Sequence, residues 1–379
     1  MNKKVNYVTI GIAVIAVVTL FMPSFVLFKK MRIQTSAAIT ASTCLGKGYY
    51  IILAGTIAIL VLNCFKNIKI RYVSGILCGV IMTVSLYLMS DALSWIPLEK
   101  TEYSRLSIGP SMWLWLLCLF CVIIKINEAL ENVWLQRLLY AIPVVSVGLL
   151  AALGQLNGLA IMIEYNTIRK QFWNALGVHI KYSLLVMLVS IVIGIPLGYA
   201  VNKKPVLEKV VVSVLNLIET IPGISFIAIL IIPLSYLSNK YPVLRDYGIM
   251  GFGITPAFIA LVFYAIFPIV HNTRAAFKMV DQYYEEIAHA LGMNKKKTFF
   301  MVQLPMAMPT ILSGIRIATV YTITGMVLAA FIGGGGLGFY MINSDSMDLI
   351  LLGVIPMIII TFVVDNGLKW VVEKMSYWR

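Results

Sequence analysis

Residues 284–316 read YEEIAHALGMNKKKTFFMVQLPMAMPTILSGIR, and they form the one polar, helix-forming island in a strongly apolar chain. The apolar residues at the start of this island recur at helical spacing: Tyr284, Ile287, Ala288 and Leu291. This spacing predicts a short amphipathic helix over 284–291, of the kind that docks into a groove. Gly292 follows the helix, at a position where a residue of positive φ ends a helix at low cost.

The remainder of the island predicts a second helical turn and then the start of a membrane span. Asn294 is placed to cap a turn that carries three lysines, Lys295–Lys297. Pro305 and Pro309 precede a long apolar run, as prolines do in the first turn of a helix, where no backbone donor is needed. We therefore expect a span to begin there.

The composition excludes a soluble domain. Of 379 residues, 60% are hydrophobic and 12% are charged, whereas the charged share of soluble domains is about 25%. Because apolar runs of about 20 residues recur along the chain, we predict an all-α polytopic membrane protein. Its ten predicted spans lie at roughly 7–28, 49–65, 72–90, 111–125, 138–160, 180–201, 207–236, 254–271, 310–331 and 348–368. The seventh contains Pro222 and Pro233, and is therefore expected to be broken or kinked.

An even number of spans places both termini on one side of the membrane. If that side is cytoplasmic, 19 of the 30 lysine and arginine residues lie inside, and the island lies inside with them. The net charge of +14 then reflects topology and contact with the lipid bilayer, and no motif predicts a nucleic-acid partner. Lys29, Lys30 and Arg32 oppose this assignment, because they follow the first span and would face outward. We interpret residues 7–28 as an uncleaved first helix.

The sequence contains several short motifs that resemble chemical sites, and their surroundings argue against each of them. The glycines at 333, 335 and 338 fit G-x-G-x-x-G, but they end a membrane span and no strand precedes them. The chain also has no P-loop, so we expect it to bind no ATP and no other cofactor itself. The five cysteines lie in or beside apolar segments, and Cys118 and Cys121 have no second pair or nearby histidine, which predicts packing rather than a metal site. Without a catalytic constellation, the chain is not expected to be an enzyme.

The island resembles the Glu-Ala-Ala loop of ABC import permeases. The matching positions are Glu286, Ile287 and Ala288, then Gly292, and then Leu304 and Pro305. The resemblance implies that this loop carries a coupling helix, which inserts into a separate cytoplasmic ATPase subunit. Ile287 departs from the small residue that is usual in the family, and its bulk suits the apolar stripe of the helix.

Four further runs resemble the osmoprotectant branch of these permeases, which imports glycine betaine, carnitine, choline and related compounds. They are KYSLLVMLVSIVIGIPLG at 181–198, ETIPG at 219–223, PAFIALVFYAIFPIVHNTR at 256–274 and AAFIGGGGLG at 329–338. The resemblance covers roughly 175–345 and implies a type I ABC importer permease core over 166–379, with its cytoplasmic coupling loop at 273–309. Residues 1–165 then form an N-terminal membrane extension of about five helices, as in the longer members of the branch.

The resemblance also implies partners. These are the ATPase, an extracytoplasmic substrate-binding protein and a second permease chain, either identical or shorter, in the plasma membrane of a bacterium. An amino acid or another zwitterion is the alternative substrate. A secondary transporter would also show broken helices and a deep acid, and a regulatory or scaffold membrane protein is a third possibility.

Polar residues and glycines inside the later spans are candidates for the translocation path or its gate. They are Glu219, Thr220, Pro222 and Gly223, and then Gly333, Gly334, Gly335, Gly336 and Gly338. A carboxylate deep in a span is costly and so points to function, whereas in a wet re-entrant turn near the surface it would not. The glycine run suits either a gate and permease interface, where backbones approach closely, or a flexible outer turn.

Two charged residues in the last spans were given structural roles. Arg316 is expected to pair with a lipid phosphate, a carboxylate of the partner permease or a loop carbonyl. Asp365 is expected to reach water at the end of the last helix. His271 is assigned no chemistry, because a lone histidine is more often an interfacial residue than a ligand.

Overall fold

A computed structural model of the chain describes residues 7–31, 36–96, 98, 101, 104–342, 344 and 346–376. The chain forms two compact units. The N-terminal unit comprises Met1–Thr167 and Asp345–Asp348, and the C-terminal unit comprises Ile168–Ser344 and Leu349–Arg379.

The N-terminal unit is a helical bundle with a small antiparallel sheet. Its elements are α1 (Tyr7–Thr19), β1 (Val26–Lys29), β2 (Ala37–Ile39), α2 (Ala41–Leu45), α3 (Gly48–Cys64), α4 (Ile68–Asp91), β3 (Arg105–Ile108), α5 (Pro110–Asn127) and α6 (Val133–Ala152). The strand order is β2-β1-β3. In the bundle, α1 packs on α3 and α5, while α4 packs on α3, α5 and α6. Phe25 and Trp115, both fully buried, meet edge to face in its core.

The first predicted span, 7–28, is too long. Helix α1 ends at Thr19, because the chain turns through Pro23, which has no N–H to continue a helix, and then enters β1. Lys29 therefore lies on a strand, opposite Arg105 of β3. Arg105 Nη1 donates to Glu164 at 2.5 Å, and Asp348 interacts electrostatically with Lys29 and Arg105. Lys29 thus has an acidic neighbour, whereas Arg32 lies outside the described residues.

The C-terminal unit begins inside a long helix. Its elements are α7 (Ala160–Lys203), α8 (Pro205–Thr220), α9 (Gly223–Lys240), α10 (Val243–Asp246), α11 (Ile254–Lys278), α12 (Gln282–Ala290), α13 (Lys295–Thr298), a π-helix (Phe299–Gln303), α14 (Leu304–Gly325), a 3₁₀ helix (Met326–Ile332), α15 (Gly338–Ile342) and α16 (Met347–Ser376). The backbone of α7 kinks at Ile168, where the two units divide. The central helix is α11, which packs on α8, α9 and above all α14.

The seventh predicted span is broken, as expected, into α8 and α9 at Pro222. Both pieces run along α11 in the opposite direction. Arg274 of α11 pairs with Glu208 near the start of α8. In the middle of α11, Tyr264 donates to the Ile221 carbonyl oxygen at the break, and Gly251, just before α11, lies against α9. The two helices therefore follow one another along α11.

The prediction of an all-α polytopic membrane protein is confirmed. Among the described residues, eight helices are long and apolar enough to cross a membrane, and α1 and α3 are shorter apolar helices. Together they match the ten predicted spans, while the three short strands were not predicted. The ninth span begins earlier than predicted, because α14 starts at Leu304. Pro305 lies in its first turn as expected, but the same prediction for Pro309 is wrong, since Pro309 lies inside the helix.

Candidate functional site

The helix of the polar island is α12, which starts at Gln282 rather than at Tyr284. The side chain of Asp281 caps its first turn by accepting a hydrogen bond from the Tyr283 N–H at 3.0 Å. Gly292 has φ of +79°, as its position predicts. The Met293 N–H donates a hydrogen bond of 2.9 Å to the Ala288 carbonyl oxygen. The helix is therefore fixed at both ends by local hydrogen bonds.

The predicted apolar stripe of α12 divides into two parts. Ala288 is buried, with 2% exposure, so it packs the helix onto its own chain. Tyr284, Ile287 and Leu291 are 46%, 39% and 73% exposed. Glu286 is also exposed and accepts a hydrogen bond from Gln282. An exposed apolar face on a short capped helix suits a protein groove.

The segment after α12 leads directly into the ninth span. Asn294 caps α13 as predicted, with its side chain accepting from the Lys297 N–H at 2.9 Å. A π-helix follows, an element that is rare and is frequently found at functional sites. Leu304 is half-buried and packs against the base of the loop, whereas Pro305 is exposed in the first turn of α14.

Three aromatic rings join this loop to the spans. Tyr199 of α7, Phe277 of α11 and Phe299 of the π-helix lie with ring centroids 4.8 to 5.7 Å apart. Ala307 and Ile311 of α14 belong to the same buried cluster, which we call the aromatic base. Because packed side chains transmit displacement rather than absorb it, movement of the loop reaches three helices at once.

A cavity of about 530 Å³ lies beside the break between α8 and α9. It is lined by Glu219, Thr220, Ile221, Pro222, Gly223, Leu261, Tyr264, Tyr321, Thr324, Gly325 and Leu328. The first four residues predicted for the path, Glu219, Thr220, Pro222 and Gly223, therefore line one cavity. Residues of α11 and α14 form another wall of this cavity.

The cavity combines a carboxylate with aromatic rings. Glu219 is exposed and lies in the last turn of α8, which ends one residue later at Thr220. Tyr321 is 49% exposed. The Tyr264 hydroxyl donates to the Ile221 carbonyl oxygen at 2.5 Å, which holds the ring against the break. A carboxylate beside aromatic faces suits a small organic cation.

The glycine run does not line this cavity. It forms a turn that folds back on the preceding 3₁₀ helix, with positive φ at Gly333, Gly335 and Gly336. The Gly253 N–H donates to the Ile332 carbonyl at 2.7 Å, and a Cβ atom at position 338 would lie 2.4 Å from the Val327 carbonyl oxygen. The chain is therefore closely packed at Gly334 and Gly338, whereas a Cβ atom at Gly333 would meet open space.

The charged residues of the later spans pair within the chain. Arg316 donates from Nε and Nη2 to the two carboxylate oxygens of Asp365, at 2.5 and 2.6 Å. This pair links α14 to α16, so the three partners proposed for Arg316 are wrong, and Asp365 does not simply extend to water.

The His271 ring lies against Phe267, with centroids 4.5 Å apart. All five cysteines are free, and the described residues include no group of three or more potential metal ligands.

Sequence reasoning missed Tyr264, Tyr321 and His179. A tyrosine hydroxyl inside an apolar span requires a hydrogen-bond partner, and this requirement could have singled out Tyr264. His179 is fully buried, its Nε2 lies 3.0 Å from the Ile323 carbonyl oxygen, and it adjoins the glycine turn at Gly336. Its position in an apolar run gave no indication of these contacts.

Both parts of the chain match family models. Residues 190–377 match the family described as "Binding-protein-dependent transport system inner membrane component". Residues 3–162 match the one described as "ABC transporter permease YehY, N-terminal domain".

Curated relatives resemble about half of the chain. The glycine betaine/carnitine/choline transport system permease protein OpuCB of Bacillus subtilis is 32% identical over 203 residues, covering 53% of this chain and 86% of the relative. The choline transport system permease protein OpuBB of the same organism is 31% identical over 201 residues, covering 52% and 85%. A solved structure of the MetNI methionine ABC transporter in inward-facing conformations aligns with a TM-score of 0.45 and 18% identity, covering 55% of this chain and 95% of that chain.

Proposed function

This chain belongs to the family of binding-protein-dependent transport system inner membrane components, the permease subunits of ABC importers, and from that premise we propose that it imports an osmoprotectant. It is an integral membrane transport subunit and not an enzyme, and ATP is hydrolysed by a separate subunit. The proposed substrates are glycine betaine, choline, carnitine or related quaternary ammonium compounds, which are the compounds that the names of the relatives give.

The observation that carries the substrate proposal is the cavity at the helix break. The carboxylate of Glu219 and the rings of Tyr264 and Tyr321 line one space. A quaternary ammonium group has no hydrogen to donate, so it is recognised by negative charge and aromatic faces. Thr220, Pro222 and Gly223 then shape the path beside them. The glycine turn, Gly333 to Gly336 with Gly338, is proposed as the gate element.

We propose that α12 is the contact to the ATPase. Tyr284, Ile287 and Leu291 form an exposed apolar face that fits a groove on the ATPase, and Glu286 lies beside it. Ala288 and Gly292 hold the helix in place, while Leu304 and Pro305 connect it to α14. Movement of the ATPase pulls α12, displaces the aromatic base and opens one side of the path while it closes the other.

The remaining partners follow from the same proposal. A second permease chain, identical or shorter, completes the path, and an extracytoplasmic binding protein delivers the substrate. The chain lies in the plasma membrane of a bacterium with both termini in the cytoplasm, and it binds no cofactor itself.

The coupling role is tested by Gly292→Asp, with Gly248→Asp as the matched control. Both glycines have positive φ and open space around them, so the two variants carry the same backbone strain, but only one lies in the loop. We expect Gly292→Asp to reach the membrane at the normal level and to lose substrate uptake and substrate-stimulated ATP hydrolysis. Gly248→Asp should retain both. Normal uptake by a chain carrying Gly292→Asp and Glu286→Ala together would contradict the coupling role.

The substrate is tested by uptake of labelled glycine betaine in a strain that lacks this chain. We expect uptake to fall on deletion, to return with the wild-type chain and to be reduced by excess choline or carnitine. Competition by an amino acid but not by these compounds would instead support an amino acid or another zwitterion. Unchanged glycine betaine uptake on deletion would refute the osmoprotectant proposal.

A further inference from the structure

Arg71 is a buried cation to which the transport proposal assigns no role. It is the fourth residue of α4 and is 4% exposed. Its Nε and Nη2 atoms are buried and have no hydrogen-bond partner among the described residues, and no charged group among them interacts with it. Burial of a charge without a partner is costly, so a guanidinium in this position calls for an anion.

The neighbours of Arg71 show where it lies. Ser74 and Gly75 follow it on the same face of α4, one turn further on. Ser74 accepts a hydrogen bond of 2.6 Å from Asn63 in the last turn of α3. A Cβ atom at position 75 would lie 3.5 Å from Ile126, the penultimate residue of α5. The first turns of α4 therefore lie level with the C-terminal ends of α3 and α5.

Two amides at these helix ends also carry unpartnered atoms. Asn63 and Asn127 are 1% and 8% exposed, and the Oδ1 atom of each has no partner among the described residues. The two N–H groups of the Asn63 amide already donate to the Ile59 carbonyl oxygen and to Ser74, at 2.8 and 2.6 Å, so only the Asn127 amide can turn an N–H toward a ligand. Glu128, which follows Asn127 in the sequence, pairs with Lys125 at 2.8 Å on the surface.

The chemistry of Arg71 and its surroundings matches a phosphate. A guanidinium presents parallel N–H groups at the spacing of two phosphate oxygens, and the N-terminal end of a 24-residue helix adds partial positive charge. Lys66 and Lys69 are exposed beside it. Basic pockets between transmembrane helices bind anionic headgroups. We propose that Arg71, with Asn127, binds the phosphate of an anionic phospholipid where α4 begins.

The experiment uses the full chain, purified in detergent and stripped of lipid. Its melting temperature is measured after addition of phosphatidylglycerol, phosphatidylcholine or inorganic phosphate, and bound lipid is counted by native mass spectrometry. The variants are Arg71→Met and Lys69→Gln, the second removing one exposed charge from the same helix turn. We expect phosphatidylglycerol to raise the melting temperature of the wild type and of Lys69→Gln by several degrees. Arg71→Met should show no such shift and at least tenfold weaker lipid binding.

The stability of the lipid-free protein distinguishes a specific site from a general effect of charge. Without lipid, Arg71→Met should be at least as stable as the wild type, since it removes an unpaired buried charge. An equal response of Arg71→Met and the wild type to phosphatidylglycerol would overturn the site. A full shift with inorganic phosphate alone would keep the site but overturn the lipid as its occupant. If Arg71→Met does not fold, the wild type alone tests the proposal through its retention of phosphatidylglycerol and phosphatidylcholine. Equal retention of the two lipids would overturn the proposal, and a tenfold preference for phosphatidylglycerol would support it.

Discussion

The ion pair between Arg316 and Asp365 should be the strongest single polar link between α14 and α16. Two unit charges about 4 Å apart attract by about 4 kcal/mol at the effective dielectric constant of a protein surface. The two side chains are 36% and 27% exposed, which weakens the pair toward the value of about 1 kcal/mol typical of surface pairs. We therefore expect a coupling free energy of about 2 kcal/mol.

A double-mutant cycle measures this coupling. Arg316→Gln and Asp365→Asn should each lower the free energy of unfolding by about 2–3 kcal/mol, because each leaves a charge unpaired. The double variant should lose about as much as either single variant and not their sum. The assay is unfolding of the purified chain by SDS titration in mixed micelles, followed by circular dichroism.

The same helix provides a matched control. Lys369 and Glu373 of α16 lie 3.8 Å apart, and both side chains are more than half exposed. Their cycle should give about 0.5 kcal/mol or less. If the effects of Arg316→Gln and Asp365→Asn simply add, within about 0.5 kcal/mol, the pair does not link the helices and the reasoning is refuted.

Three further results are expected. Gly338→Ala should lower the melting temperature of the purified chain, because the added Cβ atom would meet backbone and cost about 1–3 kcal/mol. Gly367→Ala, in open space within a helix, should raise the melting temperature slightly. Equal effects of the two variants would contradict close packing at Gly338. Tyr264→Phe should reduce transport by freeing the helix break while leaving membrane insertion normal, and normal uptake would remove its positioning role. Burial raises the pKa of the Cys44 thiol to about 12, whereas Cys64 is exposed. Between pH 7 and 9 a maleimide should therefore label Cys64 and not Cys44, as measured by mass spectrometry. Labelling of Cys44 would show that α2 opens.

The features that were predicted correctly are those set by near neighbours in sequence. The end of α12 at Gly292 and the cap at Asn294 depend on residues within one turn. The break near Pro222 follows equally from a residue that cannot continue a helix. The general division of the chain into apolar spans follows from length and composition, because a bilayer imposes both.

The features that could not be predicted depend on pairs that are distant in sequence. Arg316 and Asp365 are 49 residues apart, and Tyr264 and Ile221 are 43 apart, so no local pattern indicates that they meet. The end of α1 was missed for a related reason. The apolar residues after Thr19 have the composition of a span, but pairing with β3 draws them into a strand.

The loop and the cavity are joined by one pair of helices. Phe277 at the aromatic base and Tyr264 at the cavity lie on α11, about 20 Å apart along its axis. A Cβ atom at position 314 of α14 would lie 2.9 Å from the Pro268 carbonyl oxygen of α11, so the two backbones are in close contact. When the loop is pulled, α11 and α14 should therefore move as one wall of the cavity. The opposite wall is the end of α8, and because the chain is already broken at Pro222, that break is where the path can widen without unfolding a helix.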